Sequence, residues 1–264
     1  LTVVFKYGGN SADIEPPLQG HGLTVTIASL NIAKVTDVAR IGSEIEANPY
    51  LPEADVLLLQ EVVRASEKHP SVAELLANRL QRNVVFASPD GNTTFSGLAI
   101  LTPGPLRESR VRPLKSNNLV FRTRTRVALA ATADTVLGPV RVVNAHLDTR
   151  VNPTARVEQL GPAIEEAVSF SGPGVIGGDL NTNDMQWISN VVPLPWPGWQ
   201  ASKVRELMTS KGFETPFQTR RATFDHLGMQ LDWIFANKLA PVRHGIEPME
   251  FSDHHAIWAQ FSSR

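Results

Sequence analysis

The chain contains no cysteine. Disulfide bonds and thiolate chemistry are therefore excluded, and any metal ion must be held by oxygen and nitrogen ligands. Neither sign of charge is in large excess, because 25 lysines and arginines oppose 26 aspartates and glutamates and leave a formal net charge of −1. With no global field to draw nucleic acid or anionic lipid to the protein, any such attraction must be local.

Long apolar runs are absent as well. No run of about 18 or more apolar residues occurs, so the sequence predicts no membrane-spanning helix. The first residue is Leu1, which is compatible with a processed form, and the sequence leaves a cytoplasmic protein and an exported one with a removed signal peptide equally open. Hydrophobic residues make up 42% of the chain, which is typical of a soluble globular protein, and no obligate protein partner is indicated.

Strand-like and helix-like segments alternate from Leu23 onwards, which predicts an α/β protein with mixed sheets. Residues 1–22 mix Gly, Pro, Asn and Gln without a period, and they predict an extended arm before a single domain over 23–264. Strands are predicted at 23–31, 54–61, 83–88, 96–102, 106–114, 119–133, 139–147, 174–179, 230–236 and 254–262. Helices are predicted at 34–47, 71–81, 153–169, 183–191 and 201–211.

Six apolar runs end abruptly in residues that can bind a metal ion or a phosphate. The six ends are Asn31, Gln60-Glu61, Asn144-Ala145-His146, Asp179-Leu180-Asn181, Asp232 and Asp253-His254. Carboxylates, carboxamides and imidazoles are expensive to bury without partners. If the strands share one core, these groups can converge on one rim and become each other's partners, which is how a hydrolytic metal site is built.

In this order, the motifs resemble those of the endonuclease/exonuclease/phosphatase superfamily of DNase I-like phosphoesterases. The resemblance spans residues 23–262 and rests on the whole series, since a single Gly-Asp-x-Asn or Ser-Asp-His motif occurs by chance. It implies a four-layered α/β sandwich, in which two packed mixed β-sheets lie between helices and the site lies at one edge. It also implies a divalent cofactor, Mg²⁺ or Mn²⁺, used to hydrolyse a phosphoester.

Glu61 is the candidate for the primary metal ligand, because Mg²⁺ prefers oxygen and usually takes one or two carboxylates. Asn31 is expected to assist through its carboxamide oxygen, although asparagine is also a common turn residue. The resemblance implies that Asp253 approaches the metal. Where abasic-site endonucleases carry an acidic residue two positions after the first Asn, this chain has Ala33 followed by Lys34. That departure disfavours abasic-site repair and indicates fewer ligands for a second metal.

The resemblance implies that His254 contacts the phosphate or deprotonates the attacking water. A catalytic histidine needs an acceptor that fixes its tautomer, and Asp232 is the candidate for this acceptor. Asp179 is the rival for positioning or deprotonating the water. If the strand continues beyond Asp179, Asn181 faces the same side, and it would donate its amide to a phosphate oxygen. Whether His254 or Asp179 is the general base stays open at this point.

Further substrate contacts are expected from His146, Asn144 and a basic segment. His146 would hydrogen-bond a non-bridging phosphate oxygen, and Asn144 shares its face of the strand. Between Arg107 and Arg126 seven basic residues face one acidic residue, a local excess that could bind nucleic acid unless it is balanced elsewhere in the fold. Within this segment, Arg126 is the residue expected to reach the site and bind phosphate.

These expectations favour a metal-dependent phosphodiesterase with nuclease-like action. The segment Val191–Trp199, with two tryptophans among three prolines, keeps a second hypothesis open. Its tryptophans could stack on bases, enter a membrane interface, or simply cover the edge of the core. A phospholipid hydrolase of the sphingomyelinase type or an inositol-phosphate hydrolase is therefore the alternative, and a catalytically silent binding module is a third.

Overall fold

The computed structural model describes residues 2–5, 23–89, 94–119 and 125–264. In these ranges the α-helices are α1 (Val38–Ala47), α2 (Val72–Arg79), α3 (Pro153–Val168) and α4 (Trp199–Ser210). The strands are β1 (Thr2–Phe5), β2 (Thr24–Asn31), β3 (Val56–Arg64), β4 (Asn83–Ala87), β5 (Thr94–Thr102), β6 (Leu106–Pro113), β7 (Val127–Thr135), β8 (Gly138–His146), β9 (Gly174–Asp179), β10 (Met185–Ile188), β11 (Val192–Pro195), β12 (Phe213–Glu214), β13 (Asp232–Asn237), β14 (Leu239–Glu247) and β15 (Ala256–Ser263).

Two mixed sheets pack face to face. The first has seven strands in the order β1-β4-β5-β3-β2-β15-β14, and the second has six in the order β12-β13-β9-β8-β7-β6. Helices α1 and α2 cover the outer face of the first sheet, while α3 and α4 cover the second. The predicted four-layered α/β sandwich with two packed mixed β-sheets is therefore confirmed.

The central strands are apolar on both faces because both faces are covered. In β2, Val25 and Ile27 pack into the core between the sheets, whereas Ala28 and Leu30 pack under α1 and α2. A strand buried on two sides has no use for polar alternation, which explains why the sequence shows nearly continuous apolar runs. A polar residue inside such a run needs a hydrogen-bond partner, and polar residues are otherwise expected where the strand leaves the core.

One predicted element is wrong. Residues 183–191 were expected to form a helix, but the chain forms an antiparallel hairpin of β10 and β11. Asn183 Oδ1 accepts hydrogen bonds from the Met185 backbone and the Trp187 indole at 3.2 and 3.1 Å. Asn152 in turn bonds both backbone groups of Trp187 at 2.8 Å. These tertiary contacts hold the segment extended against its helical periodicity.

Other boundaries shift, and one strand was missed. Strand β7 begins at Val127 instead of at residue 119, and residues 120–124 lie outside the described residues. Strand β14 was not predicted at all. Strand β1 lies in the segment expected to be an arm and pairs with β4, whereas residues 6–22 lie outside the described residues, so the domain boundary stays a prediction. None of the described helices is long and apolar enough to cross a bilayer.

Candidate active site

Strand ends bring the predicted polar residues together. Asn31, His146 and Asp179 stand at the carboxyl ends of β2, β8 and β9. His146 is the register partner of Asp179 on one side, and Asp232, at the start of antiparallel β13, is its partner on the other. Asp179 is therefore flanked within its own sheet by two further candidates, while Asn31 reaches it from the opposite sheet.

Four polar groups meet on the buried carboxylate of Asp179. Its Oδ2 accepts a hydrogen bond from Asn31 Nδ2 at 3.1 Å and lies 3.3 Å from His146 Nε2. The same oxygen lies 3.9 Å from His254 Nε2, beyond hydrogen-bond distance. Its Oδ1 accepts from the backbone N–H of Asn181 at 2.9 Å. Asp179 and four further predicted residues thus form one cluster.

The imidazole of His254 contacts Asp232, the acceptor proposed for it from the sequence. Its Nδ1 lies 2.9 Å from Asp232 Oδ2, so the ring donates to that carboxylate and turns Nε2 towards Asp179. Thr223 Oγ1 donates to the same Asp232 oxygen at 2.7 Å, and the Phe224 ring lies 4.8 Å from the imidazole. No sequence motif marks Thr223 or Phe224, which lie between regular elements.

The charges of the cluster are unequally balanced. Burial raises the pKa of Asp179 to about 7; the charge on His254 opposes this rise, whereas the charges on Asp232 and Glu61 add to it. Burial disfavours the charged form of His254, but the charge and hydrogen bond of Asp232, with Asp179 and Asp253, raise its pKa to about 10. At neutral pH His254 is therefore an imidazolium, while Asp179 is near the midpoint of its titration.

Glu61 reaches the mouth of the site through a break in β3. The β3–β5 register shifts between Leu59 and Val62, and Glu61 adopts a left-handed backbone with φ of 55°. This bulge turns the carboxylate out of the core, where its side chain keeps 15% of its exposure. Lys34 Nζ lies 2.7 Å from Glu61 Oε2. The predicted metal ligand is thus accessible and faces a lysine.

Two groups of ligands could hold a divalent ion, and their chemistry separates them. Asp179, Asp232 and His254 offer atoms within 4.8 Å of one another, but a ligating histidine must be neutral and this one carries the proton. Glu61 offers an accessible carboxylate, and Asn31 is the register partner of its neighbour Gln60. A hard cation therefore fits the Glu61 side of the site.

The remaining metal and phosphate candidates lie close to this cluster. Asp253 is half-buried beside His254, where its charge contributes to the raised pKa of the imidazole. Asn181 is buried with φ of 52°, and its Nδ2 donates to the Leu147 carbonyl at 2.9 Å. Its second N–H could serve a phosphate oxygen, but the first one fixes the loop after β8.

Asn144 lies elsewhere. It is fully buried between the sheets, where its Nδ2 donates to the carbonyls of Leu59 and Ala99 at 2.8 and 2.9 Å. Its Oδ1 accepts from Gln60 Nε2 at 2.8 Å. Because both amide protons are used to join the two sheets, we leave Asn144 out of the proposed substrate site. Asn144 shares its strand face with His146, but its side chain is not exposed to a substrate.

Arg126 is held by a carboxylate that sequence reasoning missed. Its Nε donates to Asp148 Oδ1 at 3.0 Å, and both side chains are buried. Asp148 follows His146 by two residues, and it also accepts a hydrogen bond from Gln159 Nε2 at 2.8 Å. The guanidinium of Arg126 is therefore fixed close to the end of β8. A contact between Arg126 and a substrate phosphate stays a prediction.

The basic residues of this segment form ion pairs in its described part. Arg107 pairs with Asp134, Arg110 and Arg112 with Glu166, Lys115 with Glu158, and Arg126 with Asp148. Arg122 and Arg124 lie outside the described residues. Each described basic residue therefore has a carboxylate partner, but Glu166 serves two of them and also Arg141, so the local excess of positive charge is only partly balanced within the described residues.

A buried arginine fixes the loops that follow His146 and Asp179. Arg156 Nη1 donates to the carbonyls of Asp148 and Leu180 at 2.8 Å each, and its Nε donates to Gln200 Oε1 at 2.5 Å. Burial lowers the pKa of Arg156 to about 9, against the attraction of Asp179 and Asp148. The sequence signal that could have identified Arg156 is its position on the apolar face of the predicted helix 153–169.

The chain matches the model of the endonuclease/exonuclease/phosphatase family over residues 28–254, and it belongs to that family. The resemblance drawn from the motif series is thereby confirmed. The class is one of phosphoesterase hydrolases that depend on a divalent metal. Among curated proteins, none matches the chain.

Solved structures of low identity share the fold. An endonuclease/exonuclease/phosphatase from Beutenbergia cavernae DSM 12333 is 20% identical over 91% of this chain and 72% of its own, with a TM-score of 0.69. A family member from Bacteroides vulgatus is 18% identical over 92% and 100%, with a TM-score of 0.68. D. rerio TDP2, solved with a single-strand DNA product, is 16% identical over 91% and 99%, with a TM-score of 0.64. They confirm the DNase I-like architecture.

Proposed function

We propose that the protein is a divalent-metal-dependent phosphodiesterase that cleaves nucleic acid by in-line attack of water. The observation that carries this proposal is the cluster of Asn31, His146, Asp232 and His254 around Asp179, with Glu61 at its mouth. The cluster contains a titrating carboxyl, a fixed imidazolium and several N–H donors, which are the parts that hydrolysis of a phosphodiester requires.

Asp179 is the better candidate for the general base. A base must accept a proton near neutral pH, and the pKa of Asp179 is raised to about 7. The pKa of His254 is raised to about 10, so this side chain already holds its proton. The charges therefore support Asp179 as the group that removes a proton from water, with Asn31 and Asn181 keeping its carboxylate in place.

His254 and His146 are suited to bind the phosphate. The Nε2–H of the His254 imidazolium lies too far from Asp179 for a hydrogen bond, so it can donate to a non-bridging oxygen. His146 stands on the other side of the same carboxylate. Both donors would stabilise the negative charge that develops on the phosphoryl oxygens as the water attacks. The charge and hydrogen bond of Asp232 favour the protonated form of His254.

Glu61 would hold the metal ion, with Asn31 and Asp253 as further oxygen ligands. The bound ion would supply Lewis acidity and orient the phosphate. The donors are all oxygen atoms, so they fit Mg²⁺ and Mn²⁺ alike, and the chain supplies no thiolate that would favour a softer metal.

Nucleic acid is the proposed substrate class because a structural neighbour, D. rerio TDP2, was solved with a single-strand DNA product. That neighbour covers 91% of this chain. The described basic segment does not add to this support, because its charges are paired. The proposal therefore concerns a strand bound at the site itself more than a long basic groove.

A lipid substrate is the second candidate, and one observation favours it. The β10–β11 hairpin follows the Asp179 motif directly and leaves large apolar side chains exposed. These are Ile188, Val191, Val192, Leu194 and Trp196, with exposures of 48, 37, 51, 44 and 50%. Trp196 thus does not cover the core, and its ring stacks obliquely on Trp199 at 5.0 Å. A hairpin of this kind could enter the interfacial layer of a membrane.

Hydrolysis assays with a substrate panel test the proposal. Single-stranded DNA, plasmid DNA, RNA, bis-p-nitrophenyl phosphate, an inositol polyphosphate and sphingomyelin vesicles are incubated with Mg²⁺, Mn²⁺ or EDTA. We expect metal-dependent cleavage of nucleic acid that is lost in Glu61→Gln and Asp179→Asn. Glu158→Gln, which changes an exposed carboxylate paired with Lys115, is the matched control and should retain activity.

The same panel separates the candidates. Cleavage of sphingomyelin or inositol phosphate without cleavage of nucleic acid would replace the first candidate with the second. In that case Trp196→Ser should weaken binding to vesicles without changing hydrolysis of bis-p-nitrophenyl phosphate. Intact substrates throughout, with folded protein and bound metal, would favour a silent binding module.

A further inference from the structure

Lys34 forms an ion pair with Glu61, the proposed metal ligand. Lys34 Nζ lies 2.7 Å from Glu61 Oε2, at the mouth of the site and outside the buried cluster. Lys34 follows the end of β2 by three residues, and Glu61 lies in the bulge of neighbouring β3. A positive charge therefore already occupies the carboxylate that a divalent ion would bind.

The backbone is built to place this lysine. Ala33 and Lys34 both adopt left-handed conformations, with φ of 49° and 62°, although neither is a glycine. Asn31 Oδ1 accepts the Ala33 N–H at 2.9 Å and fixes the turn. Two successive left-handed residues with side chains are unfavourable and persist only where the surroundings impose them. With the backbone in this turn, the Lys34 ammonium reaches Glu61 on β3.

The contact is well formed but easily broken. The Lys34 side chain is 39% exposed and that of Glu61 is 15% exposed, so water competes for both. Partly exposed pairs of this kind contribute little to stability. Lysine is also a compact point charge on a flexible stem, so its ammonium can leave the carboxylate without disturbing the backbone.

We propose that Lys34 is a built-in counter-ion that a divalent metal must displace from Glu61, and that it thereby sets the metal affinity of the site. This inference rests on the proposed function, because it takes Glu61 as a metal ligand. Two cations cannot share one carboxylate without mutual repulsion, and a displaced ammonium about 5 Å away still repels a divalent ion. In water-like surroundings this repulsion corresponds to about a tenfold loss of affinity.

Calorimetric titration of the metal-stripped full chain with Mn²⁺ tests the inference directly. Lys34→Met keeps the length of the stem and removes the charge, and we expect it to bind Mn²⁺ about tenfold more tightly than the unmodified chain. Lys34→Arg keeps the charge and should bind within about twofold of it. Lys203→Met, an exposed lysine paired with Glu206 on α4, is the matched control and should not change the affinity.

The outcomes separate this inference from the proposed metal site. Unchanged or weaker Mn²⁺ binding in Lys34→Met, with binding to the unmodified chain lost in Glu61→Gln, would overturn the counter-ion role and leave the metal site intact. No binding to the unmodified chain, or equal binding after Glu61→Gln, would instead refute the metal site at Glu61 and the inference with it. Far-ultraviolet circular dichroism of each variant checks that the fold is unchanged.

Discussion

Two carboxylates in this molecule are almost equally buried and behave in opposite ways. Asp179, at the end of β9, is 2% exposed, and Glu166, on α3, is 1% exposed. Burial alone would raise the pKa of either group. The pKa of Asp179 is indeed raised to about 7, whereas hydrogen bonds and charges from Arg141 and Arg112 lower the pKa of Glu166 below its ordinary value.

The difference lies in the number of cations around each carboxylate. Arg141 and Arg112 each place a guanidinium nitrogen 2.5 Å from Glu166, and Arg110 adds a third at 3.9 Å. Asp179 has one nearby imidazolium, and that group is shared with Asp232. Glu166 is thus saturated and structural, while the cluster around Asp179 has a negative charge in excess that a proton or a metal can neutralise.

The largest expected effect is on catalysis. If Asp179 is the general base, Asp179→Asn should lower kcat by about 10²- to 10⁴-fold, because an amide cannot accept the proton. The same substitution should leave stability unchanged or higher, since it removes a repelled carboxylate from the interior. Steady-state kinetics and urea denaturation of one preparation measure both. A loss of activity that merely follows a loss of stability would contradict the comparison.

The opposite result is expected on α3. Glu166→Gln should destabilise the fold by about 3–5 kcal/mol, because it leaves the buried guanidinium of Arg141 without its counter-charge. Activity per folded molecule should stay close to that of the unmodified chain, since the site lies elsewhere. Urea denaturation gives the free energy of unfolding, and hydrolysis is assayed well below the transition. Equal stability would mean that the pair is not needed for folding.

The pH dependence of stability sharpens the comparison. With metal removed, the pKa of Asp179 rises from 3.8, its ordinary value, to about 7 on folding, and the pKa of His254 rises from 6.5 to about 10. Between the two values, each group is protonated in the folded chain and deprotonated in the unfolded chain. In both ranges the folded chain binds more protons than the unfolded chain, so these two groups make stability fall as pH rises from about 4 to about 10.

Urea denaturation in EDTA at a series of pH values measures this slope. Asp179→Asn should flatten the slope below pH of about 7, and His254→Gln should flatten it above. A slope unaffected by either substitution would show that these groups do not titrate as the cluster requires.

The smallest effect is expected at the edge of the saturated cluster. Arg110 is 58% exposed and only 3.9 Å from Glu166, so Arg110→Ala should change stability by no more than about 1 kcal/mol. High salt should reduce even this difference. A larger loss in urea denaturation would mean that Glu166 needs all three guanidinium groups.

The positions of the site residues could be predicted because they follow from strand geometry. Asn31, His146 and Asp179 each end an apolar run, and parallel strands bring such ends to one edge. The α/β sandwich with mixed sheets follows from the alternation of strand-like and helix-like segments, whereas the four layers follow from the family resemblance. The pairing of Asp232 with His254 could be predicted too, because a buried histidine requires an acceptor.

What could not be predicted depends on side-chain contacts across long distances in the chain. The hairpin at 185–195 is extended because Asn152 and Asn183 bond it, and neither bond is visible in its local pattern. Strand β14 contains Pro241 and a register shift, so its sequence lacks a clean alternation. Asn144 carries the same strand-end signal as His146, yet it joins the two sheets from inside.

The cluster also has a consequence for how the chain folds. Asn31 belongs to one sheet and Asp179 to the other, and the hydrogen bond between them spans 148 residues of sequence. Contacts of such separation form slowly, because a long loop must close before they can contribute. Refolding chains should therefore gain secondary structure first and hydrolytic activity last, so that the rate of recovery of activity reports the docking of one sheet on the other.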